Sequence, residues 1–458
     1  MHLLRHGASW NDLSGRPTVV TFAFAEEGQA FTVAQRASAR QALAAWDAVS
    51  GLAFVEVPDR PGGAGIDLRF RLEDWPDIQV LGRASLPPEG GDVVLNARLF
   101  ARDSLAPSPT RIGYQVLLHE IGHALGLSHP PADTPDALAH TVMVATIGRT
   151  PPVQAPLAWD VAAIRLLYGT PEEEAAVGIT WSWDARLAAV RGEGTARPDL
   201  LRGTAYRDAL FGGAGDDLLL GRGGDDLLLP GPGNDVVEGG PGFDTLRLAV
   251  ARSDLQIDIA GRRLDSPEGR DRFAEVEAIR LLDGTLYLEA PPGLAPLIGL
   301  YHIALGRAPD PGGLAFWWRA RQGGQPLAET AQLFLDSPEF RAGSRAGLGL
   351  SAEVLARAAL AHDPAADLAA GLWLPDPDAL FVARLYALAL GRAPEREGFL
   401  FWTGLIEAGV PAEVVSAGVL FSPEASARQG LPWASPSALL AEAEASMWNH
   451  GAEGLFLL

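Results

Sequence analysis

Four residues within one short segment have the chemistry of a metal-dependent hydrolase. Residues 119–129 read His-Glu-Ile-Gly-His-Ala-Leu-Gly-Leu-Ser-His. If the segment begins as a helix, His119 and His123 lie one turn apart on one face and can bind one zinc ion, with His129 as the third ligand. Three neutral imidazoles leave a coordination position open for water, and Glu120 can accept a proton from that water while it attacks a peptide carbonyl. The sequence therefore predicts three zinc ligands and a general base.

A helix followed by a tight turn must bring these side chains together. We predict the helix at residues 112–125, because an apolar stripe lies opposite the histidines. The stripe consists of Leu117, Ile121 and Leu125. Gly126 can adopt a positive φ, end the helix and turn the chain toward the third ligand. Isolated histidines more often pack in a core, but the chain has only nine, and a chance match to this pattern has a probability of about one in 10⁴.

The segments around this pattern read as a mixed α/β domain over residues 21–170. Alternating or apolar runs predict short strands at residues 21–25, 52–57, 66–70 and 93–96. Thr32 to Gln35 has the pattern of a capping box, which predicts a helix from there to about Val49. Residues 171–200 lack a clear periodicity and are expected to form a linker.

Residues 203–246 contain a nine-residue repeat of the form Gly-Gly-x-Gly-x-Asp-x-U-x, where U is aliphatic. Its aspartates are Asp208, Asp217, Asp226, Asp235 and Asp244. Glycine turns direct carbonyls inward and each aspartate adds a carboxylate, so the pattern predicts calcium sites on a parallel β-roll over residues 201–290. The glycines predicted to serve calcium are Gly212, Gly215, Gly221, Gly224, Gly233, Gly239 and Gly242. Arg222 and Pro230 depart from the glycine pattern, but the strict spacing argues against the alternative of a flexible glycine-rich linker.

From residue 291 onward the sequence turns helical, and a longer pattern recurs with an offset of 85 residues. Tyr301 to Trp317 in the first copy matches Tyr386 to Trp402 in the second. Residues 291–458 are therefore predicted to hold two helical repeats. Candidates for a binding face are Trp317, Trp318 and Trp402, although core packing is the more common role of such aromatic residues.

Composition narrows the class of function. The formal net charge is −21, so the chain disfavours nucleic acid and anionic membranes but attracts hard cations such as calcium. The absence of cysteine excludes disulfides, thiol catalysis and cysteine-ligated zinc. No run approaches about 18 uninterrupted apolar residues, so no transmembrane segment is expected. Residues 1–20 are expected to be a tail or a short pro-segment, and their start lacks the apolar region of a signal peptide.

The pattern of residues 119–129 resembles the metal-binding motif of the metzincin metalloproteases. Leu127 to Pro130 and the segment from Asp160 to Gly169 are similar to the serralysin group of that superfamily. The resemblance implies a metzincin fold and assigns to Met143 the apolar floor beneath the metal; an ordinary core methionine would be buried in the same way. The serralysin pattern places a tyrosine two residues after that methionine as a further metal ligand, whereas this chain has Ala145.

The nonapeptides resemble those of repeats-in-toxin (RTX) proteins. The resemblance implies export by type I secretion machinery without an N-terminal signal, and folding when the chain meets external calcium. The acidic and then apolar tail from Glu453 to Leu458 is similar to the C-terminal secretion signals of that group. The two helical copies resemble a domain found in tandem in secreted bacterial repeat proteins, for which a cell-surface layer or a polysaccharide is a compatible partner.

These patterns predict a multidomain protein with an α/β metzincin domain, a parallel β-roll and C-terminal α-helical repeats. The expected function is that of a secreted zinc endopeptidase, which hydrolyses protein or peptide substrates with metal-activated water and is folded outside the cell by calcium. By analogy with other metzincins, residues 81–86 are expected to bind the substrate main chain. The alternative is a non-catalytic surface-layer or adhesion component that uses the metal domain as a scaffold. An intact Glu120 favours the enzyme.

Overall fold

The computed structural model describes residues 9–10, 15–87, 90–100, 104–108, 110–145, 152–291, 293–343, 349–364, 371–376, 396–407 and 412–420, with a few further positions between 368 and 422. The predicted secretion signal at residues 453–458 and much of the expected tail at residues 1–20 lie outside the described residues. The chain forms two compact units, Met1–Leu246 with Gly269–Val276 and Arg247–Glu268 with Glu277–Leu458.

The first unit begins with a five-stranded sheet in the order β2-β1-β3-β5-β4. Its strands are β1 (Thr18–Phe24), β2 (Leu52–Glu56), β3 (Leu68–Glu73), β4 (Gly82–Ala84) and β5 (Gly91–Asn96). The first three strands and β5 are parallel, whereas β4 pairs with β5 in antiparallel register. Three of these strands start or end a few residues away from the predicted runs, because main-chain hydrogen bonds to a neighbouring strand define a strand, and apolar side chains mark only part of it.

Five described helices accompany this sheet. They are α1 (Val33–Asp47), α2 (Gly113–Ala124), α3 (Ala137–His140), α4 (Ala158–Tyr168) and α5 (Pro171–Val177). The capping box starts α1, since the Thr32 N–H donates to Gln35 Oε1 at 2.9 Å and the Gln35 N–H donates to Thr32 Oγ1 at 3.3 Å. Side chains of α1, α2 and α4 pack with one face of the sheet around the fully buried Trp46, Phe70 and Leu117.

The later described strands are short. In chain order they are β6 (Thr180–Asp184), β7 (Ala189–Glu193), β8 (Leu200–Arg202), β9 (Asp208–Phe211), β10 (Leu218–Leu220), β11 (Leu227–Leu229), β12 (Val236–Glu238), β13 (Thr245–Arg247), β14 (Gln256–Asp258), β15 (Arg263–Ser266), β16 (Gly269–Ala274), β17 (Ala278–Leu281), β18 (Gly284–Tyr287) and β19 (Leu372–Pro375). In the first unit, parallel pairing joins β8, β10, β12 and β16 on one side and β7, β9, β11 and β13 on the other. The aliphatic residue of every repeat is fully buried between the two sides: Leu210, Leu219, Leu228, Val237 and Leu246. This arrangement is a parallel β-roll.

Residues 171–200 contain more secondary structure than the sequence indicated. They include α5, β6 and β7, and β7 pairs in parallel with β9 so that Val190 lies opposite Asp208. β6 pairs with β7 in antiparallel register. The expected linker is therefore largely part of the roll, because these strands supply main-chain partners at the end of the sheet where the nonapeptides begin.

The second unit combines small antiparallel strand groups with helices. Its described helices are α6 (Leu294–Leu300), α7 (Pro311–Gln322), α8 (Leu327–Asp336), α9 (Pro338–Ala342), α10 (Ala352–Leu360), α11 (Arg396–Glu407) and α12 (Ala412–Leu420). Trp402 is buried, and the half-buried Trp317 and Trp318 pack against the core of the first helical copy. Among the described residues, no helix is long and apolar enough to cross a membrane.

Replacing Val237 by alanine should lower the free energy of unfolding of the calcium-loaded protein by about 1.5–2.5 kcal/mol, because aliphatic volume is lost from the roll core. The neighbouring Val236 is 43% exposed and provides a matched control, for which the same substitution should cost less than about 0.5 kcal/mol. Denaturant unfolding followed by circular dichroism measures both. Equal losses would show that the two residues do not face the inside and the outside of a roll.

Candidate active site and metal centres

The structure brings the imidazoles of His119, His123 and His129 together. Their Nε2 atoms are 3.1 Å apart for His119 and His123, 3.1 Å for His119 and His129, and 3.0 Å for His123 and His129. Nitrogen ligands at about 2.0–2.1 Å from a tetrahedral zinc ion lie roughly 3.3 Å from one another, so this triangle has nearly the size that one zinc ion requires. Within the described part of the chain, these histidines form a cluster of three possible metal ligands, whose ligand atoms all lie within 4.8 Å of one another.

Hydrogen bonds fix which nitrogen carries the proton in two of these rings. Nδ1 of His119 lies 2.8 Å from the carbonyl oxygen of Val142, and Nδ1 of His123 lies 2.7 Å from that of Leu127. Because a carbonyl oxygen can only accept, each Nδ1 donates, and in the neutral ring Nε2 carries a lone pair. Burial lowers the pKa of both histidines to about 4, so both rings are neutral at pH 7. The two Nε2 lone pairs face each other without a proton, and a cation is the group that fits between them.

The end of α2 turns the chain back toward these histidines. The helix ends at Ala124, and Gly126 adopts a φ of 95°, which favours glycine. The carbonyl of Ala124 accepts a hydrogen bond from Trp10 Nε1 at 2.9 Å, and that of Leu125 accepts one from the Tyr168 hydroxyl at 2.9 Å. These bonds satisfy carbonyls that a helix end leaves without intrahelical donors. The chain beyond Gly126 can therefore return, and the third imidazole reaches the other two.

Glu120 lies between the histidines and the edge strand β4. It is 5% exposed, and a Cβ atom at Gly82 would lie 2.8 Å from both its Cγ and its Oε1 atom. The missing side chain of Gly82 therefore leaves the space that the carboxylate occupies. Burial raises the pKa of Glu120 to about 8, and a cation held by the neighbouring histidines would act in the opposite direction by favouring the ionised form.

A cleft with a volume of about 590 Å³ contains this group. It is lined by Glu120, by the three histidines and by residues 78–84 and 112. Ala145 also lines the cleft, at the position where the serralysin pattern has a tyrosine. An alanine methyl group offers no oxygen to a metal ion or hydrogen bond to an oxyanion, so this position contributes neither.

Strand β4 presents main-chain groups to the cleft. The carbonyl of Leu81 accepts a hydrogen bond from the Asn96 N–H at 3.0 Å, and the Ser85 N–H donates to the Asp92 carbonyl at 3.0 Å. In an antiparallel pair, alternate residues bond to the same neighbour. The intervening residues at positions 82 and 84 therefore direct their main-chain groups away from β5.

Met143 lies beneath the helix that carries the first two histidines. Its side chain is fully buried, and a Cβ atom at Gly122 would lie 2.5 Å from its Sδ atom. Gly122 thus allows the thioether to pack directly against α2. Both an apolar floor for the metal and an ordinary core role require this burial.

A buried carboxylate on α4 supports the site and was not among the sequence-based candidates for a functional role. Asp160 accepts hydrogen bonds from the Thr141 hydroxyl, from the Val142 N–H at 2.9 Å and from the Leu157 N–H at 2.8 Å. It thereby holds the backbone of Val142, whose carbonyl accepts from His119. In the sequence, Asp160 is only an acidic residue in the first turn of α4, a position that favours helix capping and does not indicate this contact.

Asn96 performs a similar task on the other side of the cleft. Its Nδ2 donates to the carbonyls of Asp77 at 3.1 Å and of Val80 at 3.0 Å, and its Oδ1 accepts from the Arg98 N–H at 3.1 Å. These bonds hold the segment that leads into β4. A single asparagine at the end of a predicted strand gave no signal for this role.

The predicted aspartates of the roll are all buried and form two ladders. Three of them donate their main-chain N–H to the Oδ1 atom of the aspartate two repeats later: Asp208 to Asp226 at 2.8 Å, Asp217 to Asp235 at 2.7 Å and Asp226 to Asp244 at 2.8 Å. Burial raises the pKa of Asp208 well above its usual range and that of Asp226 to about 8, so negative charge is costly here without a cation. The Oδ2 atoms of Asp217 and Asp226 are buried without a hydrogen-bond partner among the described residues. Carboxylate oxygens are preferred ligands of calcium.

The turn glycines leave room beside these oxygens. In three turns, a Cβ atom on the first glycine would meet the Oδ2 atom of that turn's own aspartate, and the pairs are Gly212 with Asp217, Gly221 with Asp226 and Gly239 with Asp244. Three further turn glycines, Gly215, Gly224 and Gly242, have positive φ values of 122°, 111° and 156°. At Gly233, a Cβ atom would meet the carbonyl of Gly215 in the neighbouring turn. Larger residues would fill the space between the turns. The residues of these turns therefore fit calcium.

The aspartate ladder extends beyond the predicted repeats. Asp199 donates its N–H to Asp217 Oδ1 at 2.8 Å, and Asp235 donates its N–H to Asp271 Oδ1 at 3.0 Å. Asp199 lies one repeat length before Asp208, and Asp271 lies three repeat lengths after Asp244. Their spacing in multiples of nine residues was therefore the feature of the sequence that could have identified them. Neither turn has the full set of glycines, so neither matches the nonapeptide pattern.

Comparison with known proteins adds to this geometry. Residues 14–169 match the matrixin family of peptidases, and residues 193–228 and 231–247 match the RTX calcium-binding nonapeptide repeat. Serralysin A of Dickeya chrysanthemi is 29% identical over 147 residues, which cover 28% of this chain and 30% of that protein. Metallopeptidase AprA of Pseudomonas marginalis is 25% identical over 242 residues, which cover 43% of this chain and 50% of that protein. The chain thus spans at most half the length of these curated relatives, and the two modules that match imply zinc and calcium, respectively.

Replacing Asp160 by alanine should weaken zinc binding by about 10–100-fold, because the carbonyl that orients His119 loses its support. The same change should lower the free energy of unfolding by about 2–4 kcal/mol, since buried donors lose their acceptor. Asp160→Asn keeps one acceptor oxygen and should lose less of both. Competition with a chromophoric chelator measures the zinc affinity, and calorimetry measures the stability. A folded Asp160→Ala protein with unchanged zinc affinity would contradict the link from α4 to His119.

Proposed function

We propose that this chain, a serralysin-like metzincin with RTX calcium-binding repeats, is a secreted zinc endopeptidase. The observation that carries the proposal is the position of Glu120 between three converging imidazoles and an edge strand with free main-chain groups. A purely structural zinc site has four protein ligands and needs neither a neighbouring base nor an open cleft. Three ligands, one carboxylate and a cleft match the requirements of hydrolysis.

Each part of the cleft has a separate task in peptide hydrolysis. The main-chain groups of Gly82 and Ala84 hold an extended peptide beside β4 and bring one of its carbonyls to the histidines. Zinc, when bound, supplies Lewis-acid polarisation of that carbonyl and lowers the pKa of water. Glu120 accepts the proton of the attacking water at its carboxylate and passes it to the leaving amine. Because Ala145 has no hydroxyl, the oxyanion receives no phenolic hydrogen bond from this position.

Calcium links the folding of the roll to export. Buried carboxylates repel one another when no cation is present, so the repeats remain unfolded at the low calcium concentration inside a cell and stay suitable for type I secretion machinery. External calcium then stabilises the folded roll by mass action. Each calcium site lies between two consecutive turns on the same edge of the roll. The predicted turns therefore provide sites for about two to three calcium ions. The protein acts outside the cell.

A second role concerns the C-terminal helices, which we propose are two copies of one repeat. Phe316 and Phe401 occupy the same position in the two copies and are 61% and 50% exposed. Exposed aromatic residues at equivalent positions are compatible with attachment to a cell-surface layer or polysaccharide. A scaffold without catalysis is the weaker candidate, because it gives Glu120 no task. Loss of binding to cell-wall material in a Phe316→Ser and Phe401→Ser double variant, with retained peptidase activity, would support attachment.

Glu120→Gln protein should retain one zinc ion and lose about 10²–10⁴-fold in the rate of casein hydrolysis, because the amide cannot accept a proton. His123→Ala protein should lose the zinc itself. Elemental analysis and a casein assay measure the two effects separately. The mechanism would be wrong if Glu120→Gln protein cleaved peptides as fast as the unmodified protein.

Removal of calcium by a chelator should lower the unfolding temperature and reduce the β signal of the roll first, because its buried carboxylates lose their counter-charge. Asp217→Ala should raise the calcium concentration needed for folding, with little effect on zinc binding at saturating calcium. Asp216→Ala is the matched control, since the adjacent carboxylate is exposed. Calorimetry and circular dichroism at graded calcium concentrations decide the matter. Identical melting curves with and without chelator would rule out a calcium switch.

A further inference from the structure

A second cavity, with a volume of about 520 Å³, lies in the first unit and shares no lining residue with the zinc cleft. Strands β1 and β2, helix α5 and the beginning of the roll form its walls. An apolar part of the lining consists of Val19, Val177, Ile179 and Trp181. The cavity is large enough for a small organic molecule.

The charge of this cavity is opposite to that of the chain. Four of its lining residues are arginines, namely Arg16, Arg197, Arg202 and Arg222. One guanidinium nitrogen of Arg197 already donates to the carbonyls of Ala176 at 3.1 Å and Val177 at 3.3 Å. Two carboxylates oppose them, Glu174 and Asp199, and the second of these already accepts hydrogen bonds from the Thr195 N–H at 2.6 Å and from its hydroxyl at 2.8 Å. A local excess of positive charge in a protein of net charge −21 is unusual and favours an anionic ligand.

Arg222 adopts a backbone conformation that other copies of the repeat reserve for glycine. Its φ is 76°, and the equivalent positions are Gly213, Gly231 and Gly240, with φ of 103°, 93° and 106°. A residue with a side chain is strained there, and strain of this kind points to a function for the side chain. Asp67 is the carboxylate whose charge acts on Arg222, but it already accepts bonds from the Thr21 N–H and hydroxyl at 2.8 Å each. No hydrogen bond joins it to Arg222 in the described structure.

The geometry points to a binding site for a small organic anion, a carboxylate attached to an apolar group. Guanidinium groups bind carboxylates through paired hydrogen bonds, which places the head of such a ligand at Arg222, with the other arginines adding positive charge around it. The apolar body would then lie against Trp181 and Ile179. This chemistry is shared by the C-terminal end of a short apolar peptide and by a free aromatic or aliphatic acid.

Titration calorimetry of the zinc- and calcium-loaded full chain tests the site, with the zinc cleft blocked by excess peptide hydroxamate. N-acetyl-leucine represents the peptide end and 2-naphthoate represents the free acid; N-acetyl-leucinamide and 2-naphthylmethanol are their neutral counterparts. At least one acid should bind with a stoichiometry of one and at least tenfold more tightly than its neutral counterpart. The acid that binds more tightly identifies the source of the ligand. Absence of binding by both acids, or equal binding of acid and neutral compound, would overturn the assignment.

Arg222→Gly is the decisive variant, because glycine suits the backbone there and the roll should keep its calcium stoichiometry. The affinity for the acid should fall at least tenfold, while the neutral compound should be unaffected. Arg202→Gln provides a second variant with the same expectation, and Arg186→Gln, in the exposed turn between β6 and β7, is the matched control that should bind normally. Unchanged affinity in folded Arg222→Gly and Arg202→Gln proteins would contradict the proposal. If Arg222→Gly lowered the unfolding temperature and left the affinity unchanged, the role of Arg222 would be to balance the charge of Asp67 instead.

Discussion

The first unit brings together groups that repel one another unless a cation lies between them. At the histidines, two Nε2 lone pairs face each other at 3.1 Å because both Nδ1 atoms donate elsewhere. In the roll, parallel strands of only three residues stack carboxylates in buried ladders. Neither arrangement is stable as a set of bare acceptors in a low-dielectric surrounding. Metal binding would therefore stabilise the folded state of these parts.

The zinc cleft depends on residues that never touch the metal. Asp160 on α4 holds Val142, Val142 orients His119, and the rigid position of that ring sets where the ion can lie. On the opposite rim, Asn96 holds the segment before β4, and β4 in turn lies against Glu120. Two separate hydrogen-bonded supports thus determine the spacing between base and metal, a distance to which hydrolysis is sensitive.

The sequence predicted the groups whose positions follow from local spacing. Histidines at 119 and 123 share a helical face whatever the rest of the fold does, and aspartates nine residues apart recur at equal positions of each roll turn. The supporting roles of Asp160 and Asn96 were not predicted, because their partners are 18 or more residues away or are main-chain atoms of a loop. No local sequence pattern encodes such contacts. Asp199 and Asp271 kept the phase of the repeat but had lost its glycines, so a pattern that required both features ended too early at each end.

The roll and the core beneath the three histidines pack on opposite faces of the same strand, β1. Side chains of β1 alternate, as a strand requires: Val20, Phe22 and Phe24 join the core beneath the zinc helix, whereas Val19 and Ala23 pack with Val190 and Tyr206 of the roll region. Arg60 lies 3.4 Å from the centre of the Tyr206 ring on the same side. Ordering of the roll by calcium, as proposed above, would therefore also cover the outer face of the five-stranded sheet and add apolar burial there. Through β1, calcium would thus stabilise the sheet as well as the roll, while the inner face of that strand packs in the core beneath the zinc helix.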